Sequence, residues 1–308
     1  MNCMIIDIGS NTVKCDVFSV SDNGFKKIFH KSKVLGFLSC LTDGILSEKG
    51  YLALLCILSD YKSEAEKLGC SKIFPFATAS FRSCRDPYTL IDRIRDDIGL
   101  EITLFSGQTE GQMSFLGVMH SHREANDGVT FDMGGGSLEV NVFADRRSIF
   151  LKSLPFGALY MKNRFAPRNY SEEGLSAFAT KDEIASIYNC AREISLSHSL
   201  PVLDGKCGFI VGGSARAIGL LCGKPDELGI VRFSYDRLCE IIEEYSFIDR
   251  EKADYLISAM PDRYQLVIPA ASAYRAVFDL MNVKDITVAI GGIKEGYMSH
   301  LISNGTIK

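Results

Sequence analysis

Two short blocks, Asp7-Ile8-Gly9-Ser10-Asn11 and Asp132-Met133-Gly134-Gly135-Gly136-Ser137, each follow a brief apolar stretch. Residues 3–6 and 129–131 read as buried strands, so each block sets an aspartate at a strand end with small residues beyond it. The backbone N–H groups of such a loop cradle phosphate oxygens. The carboxylate beside them can hold the magnesium that accompanies polyphosphates. One such loop constrains little, because glycine-rich turns are common. Two, both opening Asp-x-Gly, predict two similar α/β halves whose phosphate loops face a shared cleft.

The surrounding pattern supports two halves. Residues 3–8, 12–20 and 25–34 read as strands, the last two joined by the turn Ser21-Asp22-Asn23-Gly24. A helix over 48–68 carries Leu54, Leu58, Tyr61, Ala65 and Leu68 on one face and ends at Gly69. Strand 72–77 leads to a helix opened by Asp86-Pro87 and closed by Gly99, then strand 101–105 and a helix over 108–119 capped by Ser106. After the polar stretch 122–128 the scheme restarts. Strands fall at 129–132, 138–144 and 147–153, and the box Thr180-x-x-Glu183 starts a helix. Strand 208–211, a helix from Ser214, helices over 234–281, strand 285–290 and a helix near 292–303 follow. The expected domains are 1–123 and 124–308, hinged near 120–128, with the last helix packing back toward the first domain. Parallel crossovers put functional loops at strand C-termini, where both Asp blocks and Gly212-Gly213-Ser214 sit.

Composition narrows the function classes. A net charge of −4 provides no general attraction to nucleic acid or anionic membrane, so neither is an expected partner and any polyanion needs a local basic patch. The run Lys26, Lys27, Lys31, Lys33 is a solvated strand edge in this reading. No apolar run reaches membrane-spanning length, and the first strand begins near Met1, so a cytoplasmic protein without a leader is expected. The ten cysteines include no closely spaced pair and read as reduced thiols. His120-x-His122 reads as a solvated helix end rather than a metal site.

Seven segments in order resemble the exopolyphosphatase / guanosine pentaphosphate phosphohydrolase family, a branch of the actin, sugar-kinase and heat-shock-chaperone ATPase superfamily. They are DIGSNTVK (7–14), ATASFR (77–82), SGQTEGQMSFLGV (106–118), DMGGGSLEV (132–140), LPFGA (154–158), GGSARAI (212–218) and GGIKEGYM (291–298). The resemblance implies two ribonuclease-H-like (actin-like) α/β domains facing a cleft, in the short form without the helical C-terminal region of longer members. It departs from the family pattern at Gly111-Gln112, Leu138, Ser214 and Lys294. Two of these replace arginine, which grips phosphate bidentately, by Gln112 and Lys294.

The resemblance implies that Glu110 is the general base, placed on the first turn of a helix where its ionised form is favoured. Glu139 with Asp132 and Asp7 would hold Mg²⁺ or Mn²⁺, since carboxylates near a polyanion need a divalent cation. Arg82 would offset charge developing on the transferred phosphoryl group. Ser10, Asn11, Gly134, Gly135, Gly136, Ser137, Gly212, Gly213 and Ser214 form the phosphate loops, with Lys14, Arg263 and Lys294 steering a phosphate chain. The expected activity is metal-dependent release of terminal orthophosphate from inorganic polyphosphate, with short chains preferred. The alternatives are hydrolysis of guanosine pentaphosphate and, in a different class, a sensor that binds nucleotide or polyphosphate. A homodimer is one expected assembly.

Overall fold

The computed structural model describes residues 1–203 and 205–307. It divides into two compact units, Met1–Thr109 and Glu110–Lys308. Unit 1 runs β1 (Asn2–Ile8), β2 (Thr12–Ser21), β3 (Gly24–Val34), β4 (Leu41–Thr42), β5 (Ile45–Leu46), α1 (Glu48–Lys67), β6 (Cys70–Ala77), α2 (Ala79–Arg82), α3 (Pro87–Ile98) and β7 (Thr103–Leu104). Its main sheet has the order β3-β2-β1-β6-β7. The first three strands form an antiparallel meander, and β6 joins β1 in parallel. Met4, Ile6 and Ile8 alternate along β1 and pack with Leu54, Leu58 and Tyr61 of α1, the period-2 and period-3.6 faces meeting in one core. The cap residues act as their sequence suggests: Ser47 accepts from Gly50 N–H and Asp86 from Thr89 N–H, with Pro87 at the first position of α3. Strand β3 is an edge, and its lysines lie beside acids, Lys31 with Glu64 and Lys33 with Asp60.

The helix α4 (Gly107–Ser121) begins at the unit division and leads into β8 (Gly128–Met133), β9 (Leu138–Ala144) and β10 (Arg147–Leu154). Then come α5 (Ala158–Phe165), α6 (Tyr170–Glu173), α7 (Lys181–Ser197), β11 (Gly208–Val211), α8 (Gly212–Cys222), β12 (Arg232–Ser234), α9 (Tyr235–Glu244), α10 (Arg250–Ala259), α11 (Val267–Met281), β13 (Asp285–Val288) and α12 (Ile293–Ser303). The sheet order is β10-β9-β8-β11-β13-β12. Its first five strands repeat the meander-then-parallel scheme of unit 1, as the fold class requires. The sixth, β12, pairs antiparallel to β13; it escapes sequence reading because three residues are too few to show alternation.

The two faces of this sheet differ. Val129, Phe131, Met133, Leu138, Val140 and Val142 face the large core built with α7, α8 and α11. The opposite face carries Phe143, Phe209 and Val211 against Phe115, Val118 and Met119 of α4. Helix α12 lies hard against α4: a Cβ on Gly117 would stand 2.0 Å from the Gly292 oxygen, and one on Gly296 1.6 Å from the Met113 oxygen. Backbone meets backbone here, so neither glycine can carry a side chain. This packing is also why compactness divides the chain at Thr109/Glu110 and not at 123/124, where the polar stretch suggests a boundary. His122, expected at a solvated helix end, is buried: its ring packs on Phe209, and its Nε2 accepts from the Ile290 N–H.

Candidate active site

Asp132 stands one residue before the end of β8 and Glu139 directly opposite it on β9, both in the register that the turn Gly134–Ser137 imposes. The turn closes on itself through Gly134 N–H to the Ser137 carbonyl, 3.0 Å. Opposite Glu139 on its other side is Ser153 of β10, whose hydroxyl donates to Glu139 Oε1 at 2.7 Å. Helix α4 covers this row. A Cβ on Gly111 would lie 3.2 Å from Glu139 Cβ and 2.6 Å from Leu151 Cδ1, so the helix approaches closely only because residue 111 has no side chain. Gly111 is one of the departures from the family pattern, and its structural consequence is this close seat over Glu139. Its neighbour Glu110 is 7% exposed, so it is not a solvated first-turn residue.

Three carboxylates therefore share one region. Burial pushes the Glu139 carboxyl well above the usual range, the charges of Glu110 and Asp132 push it further, and the Ser153 hydrogen bond pulls it back. Glu139 is 1% exposed and its Oε2 has no hydrogen-bond partner. A cation facing this group would reverse the penalty.

The glycine loop is braced from behind by α5. Ala158 N–H donates to Gly134 O at 3.0 Å and Tyr160 N–H to Gly135 O at 2.9 Å. With the loop carbonyls held by the helix start, loop N–H groups are left for another acceptor. Gly157 makes the brace possible, because a Cβ there would sit 2.6 Å from Gly134 O and 2.6 Å from Gly135 C.

The third loop follows β11, whose Val211 lies beside Asp132 in parallel register. Gly212 takes φ 98°, which favours glycine, and a Cβ on it would crowd Asp132 Oδ1 at 3.2 Å. From there α8 begins. Gly213 leaves room for the Arg263 guanidinium, whose Cζ would be 2.5 Å from an added Cβ. Arg263 donates to Ser214 Oγ at 3.3 Å. Burial and the neighbouring Arg216 hold its pKa below the usual arginine range, a setting that an anion would relieve. Lys294 is buried in the first turn of α12, next to Glu295, which accepts from Gly292 N–H. Tyr274 supports β8 from below through its hydroxyl to the Phe131 carbonyl, 3.3 Å.

Unit 1 holds a matching loop. Gly9 N–H donates to Thr12 O at 3.1 Å, the counterpart of the Gly134–Ser137 bond. Asp7 and Lys14 are directly opposite on β1 and β2, as Asp132 and Glu139 are on β8 and β9. Ser10 is buried, and the Asn11 carbonyl accepts from Leu35 and Gly36 N–H at 2.9 Å each. Arg82 ends α2 and donates to Phe105 O at 2.8 Å.

Among the described residues, no three His, Cys, Asp or Glu side chains converge closely enough to hold a metal ion by themselves. The donor set instead fits an ion bound through one or two carboxylates that keeps its waters, the usual magnesium mode. Ser153, Gly111, Gly157 and Tyr274 had no assigned role from sequence; Gly157 carried a signal in LPFGA and Gly111 in SGQTEGQMSFLGV. Among the described residues no helix is long and apolar enough to cross a membrane.

Comparison with known proteins bears on the fold and the family. Exopolyphosphatase 1 of Mycobacterium tuberculosis is 28% identical over 170 residues, covering 54% of this chain and 49% of the relative. The guanosine-5'-triphosphate,3'-diphosphate pyrophosphatase of Pseudoalteromonas atlantica is 21% identical over 97% of this chain and 58% of its own length. The chain thus spans about half the length of the curated relatives it matches. In fold it is similar to an exopolyphosphatase from Cytophaga hutchinsonii, with TM-score 0.83, 17% identity and coverage of 99% and 98%. A family member from Aquifex aeolicus superposes with TM-score 0.79, 18% identity and coverage of 99% of both chains. The sequence pattern of the Ppx/GppA phosphatase family matches residues 22–304, and the chain belongs to that family.

Proposed function

We propose that the chain is a phosphoanhydride hydrolase that releases terminal orthophosphate from inorganic polyphosphate. The observation that carries this is the row Glu110, Asp132, Glu139 beside a glycine loop whose carbonyls are held from behind. Hydrolysis of a terminal phosphoryl group needs an aimed water, relief of charge on the transferring oxygens and a held leaving group. Glu110 orients the attacking water and accepts its proton, acting from the first turn of α4. Loop N–H groups of residues 135–137 bind phosphate oxygens. Arg263, seated over Gly213 and bonded to Ser214, holds a further phosphate. Within unit 1, the Asp7–Asn11 loop, Lys14 and Arg82 are the proposed phosphate-binding groups. Mg²⁺ or Mn²⁺, held by Asp132 and Glu139, would supply charge neutralisation on the phosphate oxygens.

Gln112 and Lys294 weaken the grip on a long chain, so cleavage is distributive and short oligophosphates are preferred. Each charge-assisted contact contributes about 1.5–3 kcal/mol. A second reading, removal of the 5′-terminal phosphate of guanosine pentaphosphate, is favoured by the relative matched over 97% of this chain. Phosphate release measured side by side on polyphosphate, guanosine pentaphosphate and ATP separates these readings. Release from none of the three rejects hydrolysis and leaves a binding sensor. A gel ladder of intermediates from long polymer supports distributive cleavage; full-length polymer with free phosphate alone rejects it.

A further inference from the structure

On the α4 side of the second sheet, β9 presents Glu139, Asn141 and Phe143 in alternation. Gly111 of α4 sits over Glu139, and the Phe115 ring lies 5.5 Å from that of Phe143. Asn141 falls between these two contacts on the strand, and Ser114 falls between them on the helix. Neither is exposed: Asn141 is 0% and Ser114 1% accessible. Yet Asn141 Nδ2, Asn141 Oδ1, Ser114 Oγ and Glu139 Oε2 all lack a hydrogen-bond partner. Buried polar atoms are rarely left unpaired, and each orphan costs about 1–3 kcal/mol. Four in one short stretch, three of them on side chains with no place among the phosphate-binding groups, call for a shared partner. Of the residues directly across the sheet from Asn141, Leu151 of β10 has no polar side-chain atom and the buried Thr130 of β8 makes no hydrogen bond to it.

We infer that Ser114 and Asn141 hold an internal water beneath Glu139, and that this water bonds to Glu139 Oε2 and fixes the carboxylate in place. The chemistry suits water: a buried water takes two to four polar partners, and this row offers donors and acceptors together. The carboxylate is then anchored from both sides, by Ser153 on Oε1 and by the water on Oε2. Ser114 and Asn141 are positioning residues that act through Glu139, and the inference rests on the hydrolase reading only for its effect on rate.

The test combines a high-resolution crystal structure with three variants. The wild-type crystal shows a water within hydrogen-bond distance of Ser114 Oγ, an Asn141 side-chain atom and Glu139 Oε2. Asn141→Val loses this water, Glu139 leaves its position, and kcat falls about 10- to 100-fold, the usual range for outer-shell partners. KM changes little, because the phosphate loop is untouched. Ser114→Ala falls part of the way, and Asn141→Ser, which keeps a hydroxyl and leaves space for water, retains most of the rate. A dry wild-type contact overturns the inference, as does a Glu139 that stays in place, or an undiminished kcat, in Asn141→Val. The crystallographic result reads the water even if no substrate is hydrolysed, so it fails separately from the hydrolase reading.

Discussion

Gly157→Ala tests whether the glycine loop owes its shape to the start of α5. The backbone at Gly157 is extended, with φ −143° and ψ −178°, so alanine meets no conformational strain there. The cost is steric. An added Cβ would stand 2.6 Å from Gly134 O, 2.6 Å from Gly135 C and 2.7 Å from Gly135 O, all backbone atoms without a rotamer to change. Relief requires α5 and the loop to part, which stretches the bonds from Ala158 to Gly134 and from Tyr160 to Gly135. Two weakened hydrogen bonds at about 1 kcal/mol each and an overpacking cost of about 1–3 kcal/mol give roughly 3–5 kcal/mol lost. Gly134→Ala is the contrast, since its Cβ would meet only Ser137 O, at 3.7 Å. Urea unfolding with a shared slope should show a large drop in midpoint for Gly157→Ala and little change for Gly134→Ala. At temperatures where Gly157→Ala stays folded, KM for polyphosphate should rise. Equal midpoints for the two variants would refute the brace.

Glu110→Gln should abolish phosphate release while leaving polyphosphate binding near the wild-type level by calorimetry; unchanged turnover would move the base to another group, Glu139 first. Activity should disappear in excess EDTA and return with Mg²⁺ or Mn²⁺, and Asp132→Asn should raise the metal concentration needed for half-activity; full activity in EDTA rejects the cation. Glu139 binds its proton more tightly folded than unfolded, so the wild type loses stability as pH rises from about 4.3 toward the folded pKa, by at most about 1.4 kcal/mol per pH unit. Glu139→Gln should therefore gain on wild type across that window in metal-free unfolding curves, and a gap that does not change with pH would contradict the buried charge.

The strands and helices with long, regular patterns were legible. β1 to β3, α1, α3, α7 and the meander β8 to β10 show period or caps strongly enough to be read directly. The two Asp blocks and the Gly212 loop were legible because only small residues serve those turns. What escaped lies in relations between distant segments. The bracing of residues 134 and 135 by residues 158 and 160, the seat of Gly111 over Glu139, and the backbone contact of Gly117 with Gly292 leave no local pattern beyond the glycine itself. β12 was missed for brevity. The burial of His122 was missed because the polar neighbours Arg123 and Glu124 argued for solvent, whereas the ring turns inward against Phe209.

The two loops differ in the charge each sets beside its aspartate. Each places an aspartate near the end of its first strand, and each sets the residue opposite on the second strand by the same turn length and the same closing bond. In unit 1 that opposite residue is Lys14, so the pair is of opposite charge. In unit 2 it is Glu139, so the pair is of like charge, and Glu110 adds a third carboxylate; Glu110 and Glu139 are buried and Asp132 is half-buried. Such a row is unfavourable in the resting fold and becomes favourable only when positive charge joins it. A fold gains nothing from keeping that cost in its core, whereas a site that must draw in a cation together with its phosphate ligand does. The like-charge row in the second unit supports the proposal that a cation and the base act there, and the opposite charges of Asp7 and Lys14 suit the phosphate binding proposed for the first.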